Sequence, residues 1–205
     1  QQPLDHFGNS NHNNHHNNHH PTTFLQRYFW NDTYFTPNGP ILYYTGNEAD
    51  VTLYVNATGL MWENAQELGA LLVFGEHRFY GETQPFPNAH PLTPSQLQYL
   101  TVEQSLADHV ALVNHIKATV PGASRSKVVA IGGSYGGMQS SWIRMRYPKD
   151  IDGAIAGSAP ILAFDGVSKA SAKKAGPLSY WKIVTDDATP AFGSSAPCAF
   201  NIQRA

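Results

Sequence analysis

The stretch Lys127-Val128-Val129-Ala130-Ile131-Gly132-Gly133-Ser134-Tyr135-Gly136-Gly137 decides how the rest of the chain is read. A short apolar run ends in glycines, presents one serine, and passes into a helix-forming segment at residues 138–147. This is the strand, sharp turn and helix that a G-x-S-x-G nucleophile elbow needs. Glycines beside the serine let the backbone turn tightly and let neighbouring elements approach. The serine hydroxyl is then held out at the end of a sheet, and the amides that follow sit at a helix N-terminus, where an oxyanion is stabilised. A phosphate-cradling loop is the competing reading. It lacks the Lys-Ser/Thr pair of a P-loop, and no acidic residue follows where a dinucleotide fold needs one.

Working outward, apolar runs alternate with helical patterns. Residues 23–29 read as a strand, 41–45 as a compact buried strand, 60–68 as a helix and 70–74 as a second buried strand. Thr101 and Gln104 make a capping-box pattern at the head of a helix whose stripe runs through Leu106, Val110, Val113 and Lys117, with Ile116 beside it. Residues 151–156 supply another apolar run, and residues 179–184 could open a helix. Segment 169–174 is small and basic, and residues from 186 onward read as loop or as the start of an unfinished region. Strands alternating with helices predict an α/β fold with a mostly parallel sheet covered on both faces. Ligands bind such sheets at the carboxyl ends of the strands, where Ser134 falls.

The 205 residues suit one domain, and a formal net charge of −2 gives no nucleic-acid footprint. No apolar run reaches the length of a membrane span, and no signal-peptide pattern opens the chain. Residues 9–20 hold only asparagine, histidine and one serine, which predicts a solvated insert. Dense histidines such as His15, His16, His19 and His20 bind divalent metals without a selected role, so neither metal nor cofactor is expected. Sequons at Asn31 and Asn56 point to glycosylation, whereas the single Cys198 fits either a reducing compartment or a partner cysteine elsewhere.

Several separate motifs carry a resemblance. Gln2-Pro3-Leu4-Asp5-His6-Phe7 resumes after the insert as Thr23-Phe24-Leu25-Gln26-Arg27-Tyr28-Phe29. Gly39-Pro40-Ile41, Tyr44-Thr45-Gly46-Asn47-Glu48, Glu76-His77-Arg78-Phe79-Tyr80-Gly81-Glu82, Tyr99-Leu100-Thr101 with Glu103-Gln104, and the serine elbow follow in order. Together they resemble the serine peptidases that include lysosomal Pro-Xaa carboxypeptidase and dipeptidyl peptidase II. The resemblance implies an α/β-hydrolase fold with an inserted helical cap, a Ser-Asp-His triad, and cleavage of peptides near proline or a small residue at a chain end. It also implies a lysosomal or secreted location, and it likens Cys198 to a cap-domain cysteine whose partner lies further along.

On that frame Ser134 is the nucleophile, and the Tyr135 N–H is one oxyanion donor. Gly46 or Asn47, on the loop after the 41–45 strand, is the second donor, and Glu48 is a candidate partner for a substrate amino group, or else a residue that shapes its loop. In this fold the acid and then the histidine follow the serine in the chain. That order makes His77 a member of a buried polar cluster instead of a base, and it makes His109 and His115 surface or satisfied structural residues. No histidine follows Ser134. The chain is therefore expected to be the N-terminal portion of a longer enzyme, truncated here and inactive by itself. Its parts are an arm at 1–8, the insert at 9–20, a partial core at 21–165 and the start of a cap at 166–205. An unfinished sheet edge near residues 151–156 would make it poorly soluble. The alternatives are a non-catalytic protein of this fold that binds peptides or a partner, and a histidine-rich metal binder in which the α/β part is only a scaffold.

Overall fold

The computed structural model describes residues 1–8, 22–161 and 179–204. The chain divides into two compact units, residues 1–159 and 160–205. The 9–20 tract, segment 169–174 and the expected boundary at 165/166 lie outside the described residues.

In the larger unit, strands β3 (Tyr28–Asn31), β4 (Ile41–Thr45), β5 (Leu71–Gly75), β6 (Val128–Gly133) and β7 (Gly153–Gly157) form one sheet in the order β3-β5-β4-β6-β7. All neighbours are parallel except β3, which runs antiparallel to β5. A small ladder, β1 (Gln2–Pro3) with β2 (Thr23–Phe24), ties down the N-terminal arm. The single strand expected over 23–29 is thus two. Leu25 to Arg27 leave the ladder because Gln26 and Arg27 turn to Glu76, whose carbonyl and carboxylate accept their side chains.

Both faces of β4 and β5 are buried, so these strands read as continuous apolar runs. Strand alternation sorts their side chains between two cores. Ile41, Tyr43, Leu71 and Val73 face one core with Leu112, Val113 and Ile116 of α4 (Val102–Thr119) and Ile143 of α5 (Ser134–Arg146). Leu42, Tyr44, Leu72 and Phe74 face the other, with Met61 and Ala65 of α2 (Gly59–Leu68) and Val51, which precedes α1 (Thr52–Ala57). Helices on both faces of a mostly parallel sheet give the α/β-hydrolase arrangement. Among the described residues strand β7 pairs with β6 alone, and its residues 154–157 are exposed, Ile155 among them.

Three local expectations are corrected. The Thr101 cap forms only by half. Its hydroxyl accepts from the Gln104 N–H, while the Gln104 side chain turns instead to Asp5 and to the His6 N–H. His109 is not on the surface and is only half satisfied: it is fully buried, its Nδ1 lies 2.8 Å from the Tyr43 hydroxyl, and its Nε2 has no described partner. Residues after 186 are more regular than a loop. In the smaller unit α6 (Ser179–Asp187) is followed by a 3₁₀ turn, Pro190–Phe192, after a short link, and by α7 (Cys198–Arg204). The helix α3 (Pro94–Leu97) is a single capped turn.

Candidate active site

The carboxyl ends of β4, β5 and β6 bring three loops to one edge of the sheet. Strand β6 continues through Gly132 and Gly133, and α5 begins on Ser134 itself, at φ 54°. A left-handed conformation is costly for a residue with a Cβ, so something must impose it. The packing supplies the constraint. A Cβ on Gly132 would lie 2.3 Å from the Gly136 carbonyl, and one on Gly136 would lie 2.2 Å from Asn47 Oδ1. Thr45 Oγ1 donates to the Gly136 carbonyl at 2.7 Å, and Asn47 Nδ2 donates to the Gly133 carbonyl at 2.7 Å. The elbow is therefore clamped onto the β4 loop from both sides of the serine. Ser134 is exposed, and its hydroxyl has no hydrogen-bond partner among the described residues.

The β4 loop is itself fixed from below. Buried Gln139 of α5 donates to the Gly46 carbonyl at 2.7 Å and accepts from Ser105 Oγ of α4 at 2.7 Å. The Gly46 N–H donates to the Gly75 carbonyl at 3.0 Å, so it is committed to the fold. Sequence reasoning missed Gln139 and Ser105. The available signal was a polar residue on the side of α5 that must face the core.

The β5 loop carries Glu76, His77 and Arg78, all buried. Arg78 uses all five of its N–H donors: Nε and Nη2 grip Asp108 at 2.7 and 2.8 Å, and the rest reach the carbonyls of Pro3, Leu4 and Tyr99. His6 Nε2 lies 2.7 Å from Asp108. Glu76 accepts from Arg27, the Val51 and Glu82 amides and Thr83 Oγ1. Burial pushes His77 below its ordinary value, and a hydrogen bond to the Arg78 carbonyl opposes that shift. His77 belongs to this buried polar cluster, as its chain position before the serine requires. His115 is exposed.

Glu48 projects from the β4 loop, exposed and without a described bond partner. Burial raises Tyr54, Tyr80 and Tyr135, and the charge of Glu48 adds to each shift. A separate cavity of about 540 Å³ lies between α4 and the C-terminal half of α5, lined by Leu106, Trp142 and Met145 among others. Among the described residues no cluster of three or more His, Cys, Asp or Glu could hold a metal ion, and no helix is long and apolar enough to cross a membrane. Cys198 is a free thiol, half-buried.

A family profile described as "Serine carboxypeptidase S28" matches residues 2–202. Lysosomal Pro-X carboxypeptidase of Homo sapiens is 45% identical over 206 residues, covering 100% of this chain and 38% of that protein. Putative serine protease pcp-1 of Caenorhabditis elegans is 46% identical over 151 residues, 70% of this chain and 26% of that protein. This chain thus spans less than two fifths of the curated relatives it matches here. Among solved structures, Est1E from Butyrivibrio proteoclasticus with ferulic acid bound aligns at TM-score 0.48 and 13% identity, over 64% of this chain and 47% of that one.

Proposed function

Because the chain belongs to the serine carboxypeptidase S28 family, we propose that Ser134 is the nucleophile of a serine exopeptidase acting on peptides next to proline or a small residue. The observation that carries this reading is the elbow: a serine at φ 54°, exposed, at the junction of β6 and α5. In the first step Ser134 Oγ bonds to the scissile carbonyl carbon, the C–N bond breaks, and the serine proton leaves with the amine. Water then hydrolyses the ester. Turnover needs an acid and a histidine to move these protons, and without them Ser134 is a weak nucleophile.

The Tyr135 N–H, in the open first turn of α5, is one oxyanion donor. The second is the Asn47 N–H, since the Gly46 N–H is already donated to Gly75. Glu48 pairs with a substrate amino group. Asn31 and Asn56 are glycosylated, and the working compartment is the lysosome, in line with the name of the human relative, or else the cell exterior. The alternative is a peptide- or partner-binding protein of this fold without turnover.

A fluorophosphonate probe separates the two. Covalent labelling of the native protein that disappears in Ser134→Ala, together with release of the residue after proline from a synthetic peptide, is the expected result. Peptide binding without labelling supports the alternative.

A further inference from the structure

The acyl-transfer scheme uses only the backbone of Tyr135, yet its side chain stands at the same sheet edge in a defined hydrogen-bonding state. That state follows from His77. His77 Nδ1 lies 2.6 Å from the Arg78 carbonyl. A carbonyl only accepts, so Nδ1 carries the proton. The ring is 1% exposed, with Asp108 and Arg78 of the buried cluster, His109 of α4 and Glu48 of the β4 loop acting on it, and burial lowers it from the ordinary value, which favours the neutral form. A neutral imidazole protonated on Nδ1 offers a bare lone pair at Nε2. The described polar partner of Nε2 is the Tyr135 hydroxyl, at 3.3 Å, with ring centroids 5.5 Å apart. Tyr135 must therefore donate its only proton to His77.

The phenol oxygen is left with lone pairs and no proton to give. The hydroxyl has no other described partner, and the half-buried ring makes an edge contact with Trp142, two turns along α5. Glu48, also an acceptor, belongs to the β4 loop; burial raises Tyr135 and Tyr80, and the Glu48 charge adds to the shift. The ground beside Ser134 thus presents acceptors and a negative field.

We propose that Tyr135 is a specificity-determining residue: His77 fixes its phenol as a hydrogen-bond acceptor, and with Glu48 it forms a subsite for an N–H donor of the peptide substrate. The donor is either a main-chain N–H or the free α-ammonium group. His77 is a positioning residue, acting through Tyr135. The inference rests on Ser134 as nucleophile and adds to it what the neighbouring side chains select.

The test uses the native protein with Tyr135→Phe, His77→Leu and His77→Gln. It compares peptides with free and N-acetylated amino ends, with fluorophosphonate labelling as the control for the nucleophile. Loss of one neutral hydrogen bond, about 0.5–1.5 kcal/mol, corresponds to roughly a two- to tenfold rise in KM for Tyr135→Phe. That rise should exceed any slowing of probe labelling, because the probe offers no N–H. His77→Leu should reproduce the KM effect and His77→Gln, whose amide oxygen replaces the Nε2 acceptor, should reverse most of it. Nitrogen NMR of His77 should show a protonated Nδ1 and an unprotonated Nε2 whose shift moves in Tyr135→Phe. An effect confined to free amino ends assigns the α-ammonium, and an equal effect assigns the main-chain N–H. Labelling with unchanged KM in Tyr135→Phe, or a protonated Nε2, overturns the subsite alone. Wild-type protein that neither labels nor cleaves overturns the nucleophile and the subsite with it.

Discussion

Two loops at one edge of the sheet are built on opposite lines. The β5 loop buries Glu76, His77 and Arg78, and both charged side chains are matched to acceptors or donors, down to the fifth N–H of Arg78. The β6 elbow, on the same edge, holds an exposed serine in a left-handed conformation, its hydroxyl without a partner among the described residues. Buried charges persist only when fully paired, and strain persists only when the surroundings over-determine it. The strained elbow is held by the β4 loop, through Thr45 and Asn47, and it touches the paired loop through Tyr135 and His77.

Breaking the paired loop should have the largest effect. Arg78→Met leaves Asp108 charged and buried beside His6 alone, and frees the Pro3, Leu4 and Tyr99 carbonyls. Removing one partner of a buried pair costs about 3–5 kcal/mol, so denaturant unfolding should show a loss of that order and proteolysis should reach the N-terminal arm. A loss below about 1 kcal/mol would mean that the corner does not support the edge.

The next effect comes from acid. Burial lowers His109 to about 3, from an ordinary value of 6.5. A histidine whose folded pKa is depressed leaves stability constant above about pH 6.5, where both states are neutral. Between 6.5 and about 3 the unfolded state binds the proton first, so stability falls as pH falls. His77 shifts in the same direction and adds to the slope. His109→Gln should flatten this limb by an amount on the order of a few kcal/mol at its acid end, read from unfolding curves between pH 7 and 4 at roughly unit steps. An unchanged slope would place the acid sensitivity elsewhere.

Relieving the strained loop should have a smaller and opposite effect. Ser134→Gly removes the Cβ from the left-handed region and should stabilise the protein by about 1 kcal/mol, whereas Ser134→Ala, which keeps the Cβ, should not. Both abolish probe labelling. Equal melting temperatures for the two variants would show that the elbow stores no strain.

How much of this was legible in the sequence depends on the range of the interactions. Strands 41–45 and 128–131 were readable because burial on both faces makes β4 and most of β6 apolar throughout, and the glycines at 132 and 136 marked a close approach that the clamps at Thr45 and Asn47 bear out. The α/β arrangement followed from their alternation with helices. The break at residues 25–27, the half-formed Thr101 cap and the committed Gly46 N–H were not readable. Each depends on a partner some 29 to 99 positions away, such as Glu76 for Gln26 or Asp5 for Gln104. Local pattern gives a residue its propensity, and distant partners decide which of its groups remain free. His109 shows the same limit, since nothing on its own helix tells that Tyr43 of β4 will meet its ring.

The smallest effect, that of Lys127→Ala, sharpens the comparison by using a pair that looks like Arg78–Asp108 on paper. Lys127 Nζ lies 2.8 Å from Asp152 Oδ1, about as close as Arg78 to Asp108, but the lysine side chain is 78% exposed. Water and salt screen such a pair, and ordering the lysine offsets much of the attraction, so Lys127→Ala should cost less than about 0.5 kcal/mol. Asp152 has a second bond: its Oδ2 accepts the Val128 N–H at 2.9 Å, where β6 begins. Its carboxyl is held below the usual range against a burial effect that would raise it, through Lys127 and that amide. Asp152→Ala should therefore cost more than Lys127→Ala, by about the value of one hydrogen bond to a charged group, 1.5 kcal/mol or somewhat above. If the two variants cost the same, the lysine carries the interaction and exposure is a poor guide to its strength. If only the aspartate matters, what stabilises this end of the sheet is the bond to the strand, and the visible ion pair is incidental.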